Sequence, residues 1–189
     1  MDRSVRWSSW WVLAVALALA GCGPARNPGS FQGTVNGMTL DVKDSLFFKY
    51  HTYSGEPLLI LLMVDQPGLC GAMKTGHFLP NMTYFQAALG ELSSDPSALP
   101  TPGTFIVPDG SSSTSKYVVP LMNSTDETCS RGLPISGFGG TATVDQYEAQ
   151  SGGSMTGTFD VTFGTAAEPA TGDFDAAFCD VPPLSGGCQ

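Results

Sequence analysis

The groups in this chain that could do chemistry are five cysteines and two histidines, set among 17 acidic residues. Cys22 closes an unbroken apolar run from Trp10 to Ala20, directly after Leu19-Ala20-Gly21. A thiol there is a nucleophile open to alkylation, and the small residues before it give a peptidase access to the backbone. Cys70, Cys129, Cys179 and Cys188 form an even set, which in an exported chain favours two disulfides. A metal site is the rival, but no CxxC spacing supports it and His51 and His77 are the only imidazoles. Each histidine reads as a surface or structural residue rather than a base. Asp160, Asp173 and Asp175 fall on one outer face of neighbouring strands. Like charges side by side are unfavourable there, and a weakly held Ca²⁺ would relieve them. A solvated acidic face satisfies the same pattern, and no glycine-punctuated calcium loop accompanies these residues. No HExxH, GxSxG, P-loop or dinucleotide fingerprint occurs. The sequence therefore calls for no cofactor, no catalytic set and no metal, and points away from an enzyme.

The leader explains Cys22. Arg3 and Arg6 precede an apolar run of 11 residues, too short for a bilayer span of about 20, and small residues come after it. This is the anatomy of a secretory signal. Leu19-Ala20-Gly21-Cys22 resembles the lipobox of bacterial lipoproteins. The resemblance implies cleavage before Cys22, a diacylglyceryl group on its sulfur, and an acylated amine. It covers residues 1–22 and says nothing of the domain behind them. Two or more acyl chains anchor firmly where one binds reversibly, so the implied partner is a membrane, held through lipid. Gly23, rather than Asp, after the cysteine implies the outer membrane by the sorting rule of enteric bacteria. The expected organisation is a signal peptide over 1–21, a lipidated start and Pro/Gly linker over 22–30, and one β domain over 31–189.

Composition agrees with a secreted β domain. Charged residues make up only 13%, with 23 Gly and 14 Pro, which excludes coiled coils and long bundles. An apolar fraction of 42% gives a core to bury. The net charge is −9, and loss of Asp2, Arg3 and Arg6 with the leader makes it −10. Nucleic acid needs a basic partner and is excluded. The three tryptophans all lie in the leader, leaving Tyr50, Tyr53, Tyr84, Tyr117 and Tyr147 as weak candidates for a carbohydrate platform.

The elements that must position these residues are strands. Phe31 to Val35 leads into Asn36-Gly37, a two-residue hairpin signal, and Met38, Leu40 and Val42 then alternate with polar residues. Leu46, Phe48 and Tyr50 resume the apolar face. Leu58 to Val64 is continuously apolar, as in a strand buried on both faces. Pro67 to Thr75 is the helical candidate. Tyr84 to Leu92, Thr104 to Val107 and Lys116 to Met122 read as strands, with Pro120 predicting an edge position for the last. Thr141 to Tyr147, Ser154 to Phe163 and Gly172 to Phe178 read as three consecutive antiparallel strands. The fold class is all-β: an antiparallel β-sandwich or closed β-barrel of about nine strands with one short helix.

In such a meander Cys129 and Cys179 fall at opposite ends of the sheet, which disfavours their bond. The preferred pairing is Cys70–Cys129 with Cys179–Cys188, and Cys70–Cys179 with Cys129–Cys188 stays open. Beyond the lipobox, GTFDVTFG, GDFDAAFC and the closing cysteine resemble the tails of lipoproteins, without assigned activity, from bacteria with large genomes. That resemblance spans about the last 40 residues and carries no functional residue across. The expected function is a membrane-anchored envelope domain with a non-enzymatic structural or binding role. The alternative is a lipocalin-like binder of a small apolar ligand. The protein or ligand partner is not specified.

Overall fold

The computed structural model describes residues 26–108 and 114–182. Nine strands and one short helix run in chain order: β1 (Gly29–Gly33), β2 (Asp44–His51), β3 (Pro57–Val64), α1 (Leu69–Lys74), β4 (Thr83–Glu91), β5 (Gly103–Ile106), β6 (Lys116–Ser124), β7 (Ile135–Tyr147), β8 (Ser154–Phe163) and β9 (Glu168–Phe178). Strands β2, β3, β4, β6, β5, β7, β8 and β9 form a closed eight-stranded barrel. It closes where β2 meets β9 in a short parallel contact, Leu46 opposite Ala177 and Phe47 opposite Phe178. The extra strand, β1, lies antiparallel along the rest of that β9 edge. Strand β5 is wedged between β6 and β7, which touch directly only at Leu121–Ser136 and Met122–Ile135.

An eight-stranded barrel is just wide enough inside for side chains to fill. Phe85 and Phe159 stack with ring centroids 4.6 Å apart, Phe31 lies 5.8 and 5.7 Å from them, and Phe163 meets Phe85 at 6.3 Å. Phe178 meets Phe47 at 5.4 Å, and Tyr147 approaches Phe47 from another side. The rings face one another rather than a void. Gly157 and Gly172, on the inner face, each lie beneath a cross-strand ring: a Cβ there would sit 2.6 Å from Phe174 Cζ and Phe159 Cζ respectively.

The outer face of β2, β3 and β4 carries a second apolar cluster, built from Leu46, Leu62, Val64 and Tyr84 under Leu69 and Met73 of α1. This is why Leu58 to Val64 alternates so little: the barrel interior covers one side and α1 with its flanking loops covers the other.

Several expectations need correction. The Asn36-Gly37 turn forms, with Asn36 and Gly37 both at positive φ, but its hairpin is one bridge, Val35 to Met38. Residues 39–43 belong to no strand; Leu40 is buried in the barrel core, with Met38 and Val42 packed against that core. Strand β6 is not an edge. Pro120 sits between the pairings Tyr117–Ile106 and Leu121–Ser136, where the far side of β6 has no strand partner, so its missing N–H costs nothing. Strand β7 begins at Ile135, before the expected Thr141, and its glycine-rich start contains an irregularity between Gly137 and Gly139.

The disulfide joins Cys70 of α1 to Cys179, with Cα atoms 5.7 Å apart, so the preferred Cys70–Cys129 pairing is wrong. Cys129 and Cys179 also lie in one outer cluster rather than at opposite ends of a sheet. The loop holding Cys129 folds back over the barrel wall, which strand order alone does not reveal. Cys22 and Cys188 lie outside the described residues.

Candidate functional site

A groove of about 840 Å³ opens on the outside of the barrel wall, beside the cluster under α1. Its floor is the outward face of three strands: Phe48 from β2, Leu58, Ile60 and Leu62 from β3, and Ala88 with Gln86 from β4. The β2–β3 turn raises one end through His51, Thr52 and Tyr53. Phe78 and Arg131 border the groove from two loops, and Val181 and Pro182 line it after β9. The floor is apolar because Leu58 to Val64 is apolar on both faces while α1 covers only part of the outer one.

The border at Phe78 and Arg131 is built from two loops distant in sequence. Thr125, itself buried, donates its hydroxyl to the Leu79 carbonyl at 2.7 Å and accepts from the Met82 amide at 2.9 Å. Asn81 N–H donates to the Asp126 carbonyl at 2.9 Å, and Thr125 N–H to that of Met82 at 2.8 Å. Within the second loop, one Asp126 carboxylate oxygen accepts from Thr128 N–H at 2.8 Å, Thr128 Oγ1 at 2.7 Å and Ser130 N–H at 3.0 Å. The Thr128 hydroxyl bond and the two backbone bonds hold the Asp126 carboxyl below its usual pKa. The Arg131 guanidinium then lies over the Phe78 ring, 4.6 Å from its centroid. Burial pushes the Tyr84 hydroxyl pKa up, and the nearby Arg131 charge opposes that shift without cancelling it.

The disulfide holds the opposite wall. It ties α1 to Cys179, whose N–H donates to the Phe47 carbonyl at 2.8 Å, three residues before Pro182. The groove's charge differs from that of the chain. Lys49, His51 and Arg131 line it and no carboxylate does, although the chain carries 17 acidic residues against eight basic ones. Lys49 alternates with Phe48 and so turns its ammonium to the inner side of β2, over the Phe178 ring at 5.6 Å, leaving Arg131 as the cation on the outer side.

Of the residues singled out from sequence, the structure brings His51, Tyr50 and Tyr53 to this groove, the two tyrosines largely exposed. His77 lies in the loop after α1, not among the residues lining the groove. Tyr84 is buried, Tyr117 packs over Gly90, and the Tyr147 hydroxyl donates to the Pro100 carbonyl at 2.7 Å. The three aspartates do not confront one another. Asp160 pairs across β9 with Thr171, while Asp173 and Asp175 pair across β8 with Thr158 and Thr156. Ser30 donates to Asp173, and Arg26 reaches Asp175 at 3.4 Å. Among the described residues no group of three or more His, Cys, Asp or Glu could hold a metal, and no helix is long and apolar enough to cross a membrane.

Sequence reasoning missed Arg131, Phe78, Lys49, Val181 and Pro182. The one available signal was the doubly apolar run of β3, which requires cover on the outside and allows that cover to be incomplete. Comparison of the chain with protein-family models, curated proteins and solved structures finds no match.

Proposed function

We propose that this barrel binds a small apolar ligand in the groove outside its wall, and that Cys22 tethers it by lipid to the cell envelope, at the outer membrane. The observation that carries the ligand reading is the groove: about 840 Å³, apolar on its floor, with a few polar groups around it. Small-molecule sites have this character and span roughly 300–1,000 Å³. The role resembles that of a lipocalin, but the interior is packed with rings, so the ligand lies against the outer surface of β2, β3 and β4. The tether rests on Leu19-Ala20-Gly21-Cys22, which lies outside the described residues. With Cys70 bonded to Cys179, the alternative pairing assigns Cys129 to Cys188.

The ligand reading is tested with the chain carrying Cys22→Ser, made without detergent, and the neutral probe N-phenyl-1-naphthylamine. Saturable one-to-one binding is expected. Ala88→Trp fills the floor from a small, half-buried position, and is expected to abolish binding without lowering the unfolding midpoint. Undiminished binding in that variant removes the site from the groove. The tether is tested by fractionation: Cys22→Ser is expected to leave the membrane fraction, and normal processing with retained partitioning would end that part of the proposal.

A further inference from the structure

We infer that the groove's occupant is an amphipathic carboxylate, its acidic head on Arg131 and its apolar body along Ile60 and Phe48. The inference rests on the groove being a ligand site and adds the ligand's charge and direction. Charge complementarity carries it. In a chain with about twice as many acids as bases, the groove is lined by no carboxylate, and Arg131 is the cation that borders its outer face, since Lys49 and His51 alternate with Phe48 and share the inward side of Phe47. Arg131 makes no ion pair with a described residue, and its side-chain hydrogen bond, to the Tyr84 hydroxyl, leaves guanidinium N–H groups over for the charge-assisted recognition that carboxylates favour.

Arg131 is also better placed than Lys49 to receive the head. It stacks on Phe78, and its loop is stitched to residues 79–82 through Thr125 and braced by Asp126. Its orientation is therefore set before a ligand arrives, which lowers the entropic cost of binding. Tyr84, beside Arg131, pairs across the sheet with Val64, whereas Lys49 pairs with Leu59. Five residues of strand β3 separate those levels, roughly 16 Å at about 3.3 Å per residue. Ile60 and Leu62 line the floor between them. An extended apolar body can lie along that length with its far end toward Tyr50 and Tyr53.

The test compares laurate, dodecanol and dodecyltrimethylammonium, each below its micelle concentration, on the Cys22→Ser chain. Laurate is expected to bind about tenfold more tightly than dodecanol, as one charge-assisted pair allows, and the ammonium more weakly than both. Arg131→Gln is expected to erase the preference for laurate while leaving dodecanol unchanged. Should Arg131→Gln misfold, Arg131→Lys keeps the charge without the fork and is expected to lose most of the preference. Equal affinity for all three amphiphiles, with binding still blocked by Ala88→Trp, overturns the charge assignment and leaves the groove as a neutral site. Failure of all three to bind removes the ligand reading together with this one.

Discussion

The two faces of the wall formed by β2, β3 and β4 are apolar for different reasons. The inner face is covered by the barrel itself, and Phe85, Phe159, Phe31 and Phe163 meet across it without help from loops. The outer face is covered by pieces brought from elsewhere: α1 through a disulfide, and the loops of Phe78 and Arg131 through Thr125. Cover assembled in this way does not extend over the whole face, and the groove is the uncovered part. The stable half of the sheet and the half available for binding are thus opposite sides of the same three strands.

That contrast can be broken from either side. The largest effect is expected inside. Phe85→Ala removes the ring at the centre of the stack and is expected to cost about 3–5 kcal/mol in urea unfolding, with naphthylamine affinity little changed in the fraction still folded. Outside, Cys70→Ser with Cys179→Ser opens a link across 109 residues and is expected to cost about 2–5 kcal/mol. Here binding should suffer as well, because the Val181–Pro182 wall loses its tie to α1. Equal loss of binding in both variants would mean that the two faces are not separable. Next, Thr125→Val leaves the buried Met82 amide without its hydroxyl partner. We expect about 1–3 kcal/mol of destabilisation and a proportionally larger loss of laurate affinity, measured by titration calorimetry.

The smallest effect is a pH dependence. The Asp126 carboxyl has its pKa held down in the folded chain. Its bracing of the Arg131 loop is therefore complete above the ordinary carboxylate value and is lost as pH falls through the lower folded value. Laurate titrates in a similar range, so the measurement uses amide exchange of the 125–131 loop in the free protein. Lower protection, after correction for the intrinsic slowing of amide exchange in acid, is expected on acidification, and Asp126→Asn should show it already at neutral pH. A loop whose exchange ignores both changes would sever the bracing from the site.

The inner face was legible in the sequence, and of the outer one only the burial of β3 was. Met155, Phe159, Val161 and Phe163 keep a period of two and β8 stands where that period places it, whereas β9 starts at Glu168, four residues before the expected Gly172. The apolar run of β3 disclosed two buried faces. The start of β7 was hidden because Gly137, Gly139 and Gly140 offer no side-chain alternation to read. Pro120 predicted an edge, since a sequence does not show that a strand inside a ring can lack a partner over a few residues. The groove was least visible, because Phe78, Arg131 and Pro182 converge through hydrogen bonds and a disulfide between remote segments. No periodicity marks such a meeting.

The seam between β2 and β9 has a consequence for biogenesis. Its two faces come from opposite ends of the strand order, and β1 also leans on β9. A chain delivered amino end first exposes the aromatic stack until the ninth strand emerges, and only then can Cys70 reach Cys179. Contacts so distant along the chain make closure slow. The unfinished chain therefore keeps its largest rings in contact with water for nearly its whole length, and the Cys70–Cys179 bond marks the moment at which the ring is sealed.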